Sequence, residues 1–147
     1  MTLAEIKTLV RNSPVFEDTA TLWSSDQYWL PSRAWFESDY MPVVQSTFRQ
    51  YTPANNRRDC TQAVRIALAL AGEAMGQRQE DAGIAIGRTT GLLMGEINGI
   101  KAEAANHDTC IAVLNDGFLY FYEPQTSKLT LASNVTLGDW AAGLVEL

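Results

Sequence analysis

Asp59-Cys60-Thr61-Gln62-Ala63-Val64-Arg65-Ile66-Ala67-Leu68-Ala69-Leu70-Ala71 carries the clearest local signal in the chain. Asp59 is a helix-capping residue, and Gln62 three positions later suits the reciprocal bond of a capping box. After its first turn the segment is almost wholly apolar, which describes a buried central helix. Gly72 and Gly76 mark its fraying end. The polar run 51–58, broken by Pro53, is the loop that leads into it.

Cys60 stands in the first turn of that helix. The positive end of the helix dipole and the free backbone N–H groups there stabilise a thiolate. The same N–H groups suit an oxyanion. Arg57 and Arg58 would add to the effect and Asp59 would oppose it. Against this stands the plain alternative of a buried structural cysteine. His107 is the only histidine, 47 residues later, at the entry to a strand. Imidazole accepts and returns a proton near neutral pH, which is what a thiol nucleophile needs from a base.

A hairpin supplies a third group. Segments 109–114 and 118–123 are rich in β-formers, and Asn115-Asp116-Gly117 suits a three-residue loop ending in a left-handed glycine. In that register Thr109 faces Glu123 and His107 faces Gln125. Glu123 then lies diagonal to His107 on one face and can orient the imidazole, with Gln125 assisting. A two-residue loop would put Glu123 on the opposite face, as a solvated strand end. Gln50, Asn55 and Asn56 are the side-chain donors available for an oxyanion, and nothing in their spacing selects one.

Around this centre, Thr2 and Glu5 form a capping-box pattern, so a short helix runs from about 3 to 11 and Ser13-Pro14 ends it. Segment 15–35 is an aromatic-rich loop packed on the domain. A second helix covers 40–50, with Pro42 in its first turn. Segment 81–106 is ambiguous, because glycines at 83, 87, 91, 95 and 99 interrupt any element. Residues 128–132 make a further strand, and 138–147 dock as a last strand or turn.

The whole chain of 147 residues suits one domain over 1–147, with 1–24 as a helical N-terminal extension. It is 46% hydrophobic and 19% charged, which excludes a disordered chain. A net charge of −6 argues against nucleic-acid and anionic-membrane partners. No stretch reaches the roughly 20 apolar residues of a membrane-spanning helix. The N-terminus lacks a signal-peptide layout, so the expected location is the cytoplasm, or release by a route without a signal peptide. Cys60 and Cys110 are read as two free thiols with different tasks.

The strings Arg58-Asp59-Cys60, Ala105-Asn106-His107 and Gly117-Phe-Leu-Tyr-Phe-Tyr-Glu123-Pro-Gln-Thr126 resemble the papain-like domain of the Marasmius oreades agglutinin type. Tyr28-Trp29-Leu30-Pro31-Ser32 is similar to that family's lead-in. The resemblance covers roughly residues 25–130, and stand-alone relatives occur in bacteria and phages. It implies an α+β papain-like fold: a buried central helix with the cysteine at its N-terminus, packed on an antiparallel sheet. It also implies a triad of Cys60, His107 and Glu123. Calcium is allowed by the resemblance, though no ligand set can be matched and the sequence itself requires no cofactor. The lectin half of the agglutinin has no room here.

The expectation is therefore a thiol peptidase or amidase acting on a peptide or protein substrate. The alternatives are a cell-wall peptide amidase of the same superfamily, or a non-catalytic papain-fold binding or structural module. The oligomeric state is open, and a homodimer is compatible with the sequence.

Overall fold

The computed structural model describes residues 1–16, 19–51, 59–78 and 82–147. Helix α1 (Leu3–Arg11) starts where expected, with the Thr2–Glu5 capping box formed. Its buried residues, Ile6 and Val10, lie four apart on one face. A 3₁₀ turn at Pro14–Phe16 follows. The aromatic-rich segment is not all loop: it contributes short strands β1 (Ala20–Leu22) and β2 (Tyr28–Trp29). Phe16 and Tyr28 are buried, as packing of this segment on the domain requires.

The second helical segment begins earlier than 40. Ser32 caps it by accepting from the Trp35 N–H at 3.1 Å, and Pro31 keeps the chain extended just before. Helix α2 (Arg33–Trp35) runs through a π-helical turn (Phe36–Tyr40) into α3 (Met41–Tyr51). The cysteine helix α4 (Cys60–Arg78) is longer than expected and passes through Gly72 and Gly76. Both glycines are on the exposed side. The helix is carried instead by a stripe of Ala63, Val64, Ala67, Ala71 and Met75 against the sheet. Three alanines in that stripe let the helix backbone lie close to the strands.

The ambiguous segment resolves into β-structure: β3 (Gly83–Ile84), β4 (Ile86–Leu93), β5 (Glu96–Ile97) and β6 (Ile100–Lys101). The remaining strands are β7 (Ala105–Val113), β8 (Leu119–Glu123), β9 (Lys128–Leu131) and β10 (Trp140–Glu146). Six of them form one sheet in the order β1-β10-β4-β7-β8-β9. Every pairing in it is antiparallel except β1 with β10. The chain is thus α+β, with α4 packed on a largely antiparallel sheet. Residues 1–24 add a strand to the sheet as well as a helix, so they are not wholly helical.

Gly87 and Gly91 have a packing reason. A Cβ at either would run into a main-chain carbonyl of β10, at Glu146 or Ala141. The four-residue spacing of glycines therefore marks close strand approach, not a helix face. The β7–β8 register pairs Cys110 with Tyr122 and Val113 with Leu119. Gly117 has φ +82°, as the three-residue loop demands.

Strand β7 is covered on both sides. Ile111 and Val113 face a core with Ile6, Phe16, Phe121 and Trp140. Cys110 and Ala112 face another with Phe36, Tyr40, Val64 and Ala67. That is why its residues read as a continuous apolar run.

Candidate functional site

The site forms where β8 stops pairing with β7. Asp59 caps α4, accepting from the Gln62 N–H at 2.8 Å, and so fixes where Cys60 stands. Odd-numbered side chains of β7 point to one face and even-numbered ones to the other. His107 therefore lies on the face of Phe121 and Trp140, while Asp108 points toward α4.

His107 Nε2 lies 2.7 Å from Glu123 Oε2. Both residues are buried, and Glu123 is wholly so; it is not a solvated strand end. Its other oxygen accepts the Gln125 N–H at 3.1 Å. The Trp140 ring stands edge-on to the imidazole, with centroids 6.1 Å apart. This covers the pair from one side.

Asp108 joins strand and helix. Its carboxylate accepts from Thr61 Oγ1 at 2.5 Å, Thr90 Oγ1 at 2.7 Å and Arg88 Nη2 at 2.9 Å. Its backbone N–H donates to Cys60 Sγ at 3.5 Å. Burial would raise the Asp108 carboxyl, but these three donors together hold it below the usual range. Beyond a run of polar residues inside an otherwise apolar strand, no sequence pattern signals this role.

Interaction with the His107 side chain, above all, lowers the Cys60 thiol; burial and the Asp108 charge oppose, and the Asp108 N–H assists. Burial pulls His107 down, yet its contacts with Cys60 and Glu123, and their charges, prevail and raise it to about 9. Among the described residues, the hydrogen bond of regular geometry at Cys60 Sγ is the one from Asp108, with none to the imidazole. Cys110 is free like Cys60 but fully buried, and burial pushes its thiol well up.

Beside Cys60 and His107 runs a groove of about 470 Å³, lined also by Leu93, Ile100, Asn106, Gln125 and Thr126. One wall is the β5–β6 hairpin. Asn98 at its turn has φ 50° and is held from three sides. Its Nδ2 donates to the Phe121 carbonyl at 3.0 Å, its own carbonyl accepts from Thr126 at 2.6 Å, and its Oδ1 accepts from Thr130 at 2.6 Å.

The structure thus brings Cys60, His107, Glu123 and Gln125 together. It does not bring Gln50, which is exposed at the end of α3 and does not line the groove. A glutamine at a helix end has no fixed direction from sequence. Asn55, Asn56, Arg57 and Arg58 lie outside the described residues. Among the described residues no group of three or more His, Cys, Asp or Glu side chains could hold a metal. The calcium allowed by the resemblance finds no ligand set there. No helix of the described residues is long and apolar enough to cross a membrane.

No family model matches the chain, and no curated protein does. Among the solved structures that match it, two do so along its full length. One is a crystal structure of the Polyporus squamosus lectin bound to the human-type influenza-binding epitope Neu5Aca2-6Galb1-4GlcNAc, at TM-score 0.71 and 16% identity. The other is described as a PSL1a–E64 complex, at TM-score 0.70 and 16% identity. The chain covers 49% and 51% of those chains, about half of each. The likeness shows a shared papain-like fold.

These findings correct the hydrolase expectation. The matched chain whose description states its nature is a lectin, and neither structure is described as a peptidase or amidase. The terms hydrolase and cysteine protease are withdrawn, as are both the peptidase and the cell-wall amidase.

Proposed function

We propose that this chain is a non-catalytic papain-fold module of the agglutinin-associated type that binds an extended peptide segment in the groove beside Cys60 and His107. One observation carries this: the groove lies along an open stretch of β7. The Asp108 N–H points away from β4, toward Cys60. Main-chain direction alternates along a strand, so the Asn106 N–H and C=O point the same way. Asn106 lines the groove, and β8 pairs β7 only from Cys110 onward. Those groups offer main-chain hydrogen bonds to an added strand.

The surroundings suit a polar chain with small apolar side chains. Leu93, Ile100, Ala102 and Ala105 supply apolar contact, and Gln125 and Thr126 supply polar atoms. Cys60, His107 and Glu123 serve in this reading as a fixed polar floor.

The test is a titration of isotope-labelled protein with a panel of unstructured peptides and, in parallel, the sialylated trisaccharide named for the lectin. The expected result is peptide-induced amide shifts at Ile100, Asn106, Gln125 and Thr126, with the peptide recovered intact by mass spectrometry. Shifts absent from these four residues for every peptide would overturn the groove assignment. Shifts there with the trisaccharide alone would reassign the ligand to a glycan.

A further inference from the structure

We infer that Cys60 is a modification site for small hydroperoxides, which oxidise its sulfur to a sulfenic acid within the groove. The inference concerns the sulfur and its neighbours and stands apart from the identity of the groove's ligand.

Three features of the cluster carry it. Cys60 is half-buried and lines a groove open to small molecules. The Asp108 N–H, at 3.5 Å, points at the sulfur and can stabilise its negative charge. The His107 ring, held by Glu123 at 2.7 Å, lines the same groove as Cys60. Glu123 is fully buried, so it holds the imidazole without itself meeting the oxidant. The raised His107 and lowered Cys60 accord with this geometry, giving a thiolate beside a proton donor.

The step balances with hydrogen peroxide as co-reactant. The Cys60 thiolate attacks one peroxide oxygen; the S–O bond forms as the O–O bond breaks. The departing hydroxide takes a proton from the His107 imidazolium and leaves as water. Sulfur is oxidised by two electrons and the peroxide is reduced by two. A thiolate alone would have to expel free hydroxide, and a proton donor at the leaving oxygen removes that penalty.

The product has no protein thiol to condense with. The chain has two cysteines, and Cys110 is fully buried between the sheet and the helices. The sulfenic acid therefore persists until an external thiol reduces it.

The test exposes the full chain to hydrogen peroxide at pH 7 and traps sulfenic acid with a cyclic 1,3-dione, followed by mass spectrometry of each cysteine peptide. Glutathione at the same pH is the reference thiol. The expected result is labelling of Cys60 at a rate at least about tenfold above glutathione, reversal by added dithiol, and no label on Cys110. His107→Gln, with native near-ultraviolet circular dichroism, should bring the Cys60 rate down to that of glutathione. Cys60 oxidised no faster than glutathione would overturn the inference without any variant being needed. So would an unchanged rate in a natively folded His107→Gln protein. The peptide titration reads the groove separately, so either reading can fail while the other stands.

Discussion

Cys60 and Cys110 show how far position decides thiol chemistry. One sulfur opens a helix beside an imidazole; the other is sealed between sheet and helices. Alkylation by iodoacetamide should proceed at Cys60 below the pH range of an ordinary thiol and spare Cys110 in the native protein. His107→Ala should move the Cys60 profile up toward about 8.5. An unmoved profile would mean that the imidazole does not act on the sulfur. The His107–Glu123 pair sets a second pH dependence. A histidine raised to about 9 adds stability that is complete below its unfolded value near 6.5 and is lost as pH rises from there to about 9. Wild type should therefore exceed Glu123→Gln in urea-unfolding free energy by more at pH 6 than at pH 9.5. The difference between the two pH values should be on the order of 1–3 kcal/mol. An equal margin at both would show that the pair is not charged in the fold. At this scale the sequence was informative where one register linked two residues: the hairpin loop placed His107 and Glu123 on one face. It was silent on Asp108, because its partners Thr61, Arg88 and Thr90 come from a helix and a strand that no local pattern joins.

At the scale of elements, capping chemistry was legible and glycine was misleading. Thr2, Glu5 and Asp59 announced the starts of α1 and α4, because a cap is a local bond. The end of α4 was misjudged, since Gly72 and Gly76 are outvoted by the buried stripe on the opposite side. In β4 the glycines are obligatory for a reason seen only in the pairing with β10. Gly87→Ala should destabilise the protein by about 1–3 kcal/mol in urea unfolding, because its Cβ meets the Glu146 carbonyl. Gly143→Ala is the control: its Cβ would meet only ordinary contact, 3.6 Å from the Thr90 carbonyl. Equal losses at the two sites would refute close strand approach as the cause. The start of α2 was missed because Ser32 caps a helix whose first two turns are aromatic and lack a clean apolar stripe.

On the scale of the whole molecule, both cores share one sheet. Phe121 and Tyr122 are neighbours in β8, yet they belong to opposite cores. Unfolding followed by Trp140 environment and by helix content should therefore coincide in a single transition. Val64→Ala and Val145→Ala, one in each core, should both lower that same midpoint, each costing about 1–2 kcal/mol. Separate midpoints would show that the two faces melt independently. A buried helix and a β-hairpin were legible from pattern, and the papain-like arrangement of the two came from the resemblance carried by the strings around Cys60, His107 and Glu123. The order of the sheet was not, since β10 reaches its place beside β4 from the far end of the chain. The Asn98 anchor has a kinetic consequence for whatever enters the groove. A wall tied by three hydrogen bonds to β8, β9 and the turn between them is already in place before encounter, so association needs no closing step. Ligands that differ in affinity should then differ in how long they stay, while arriving at nearly the same speed.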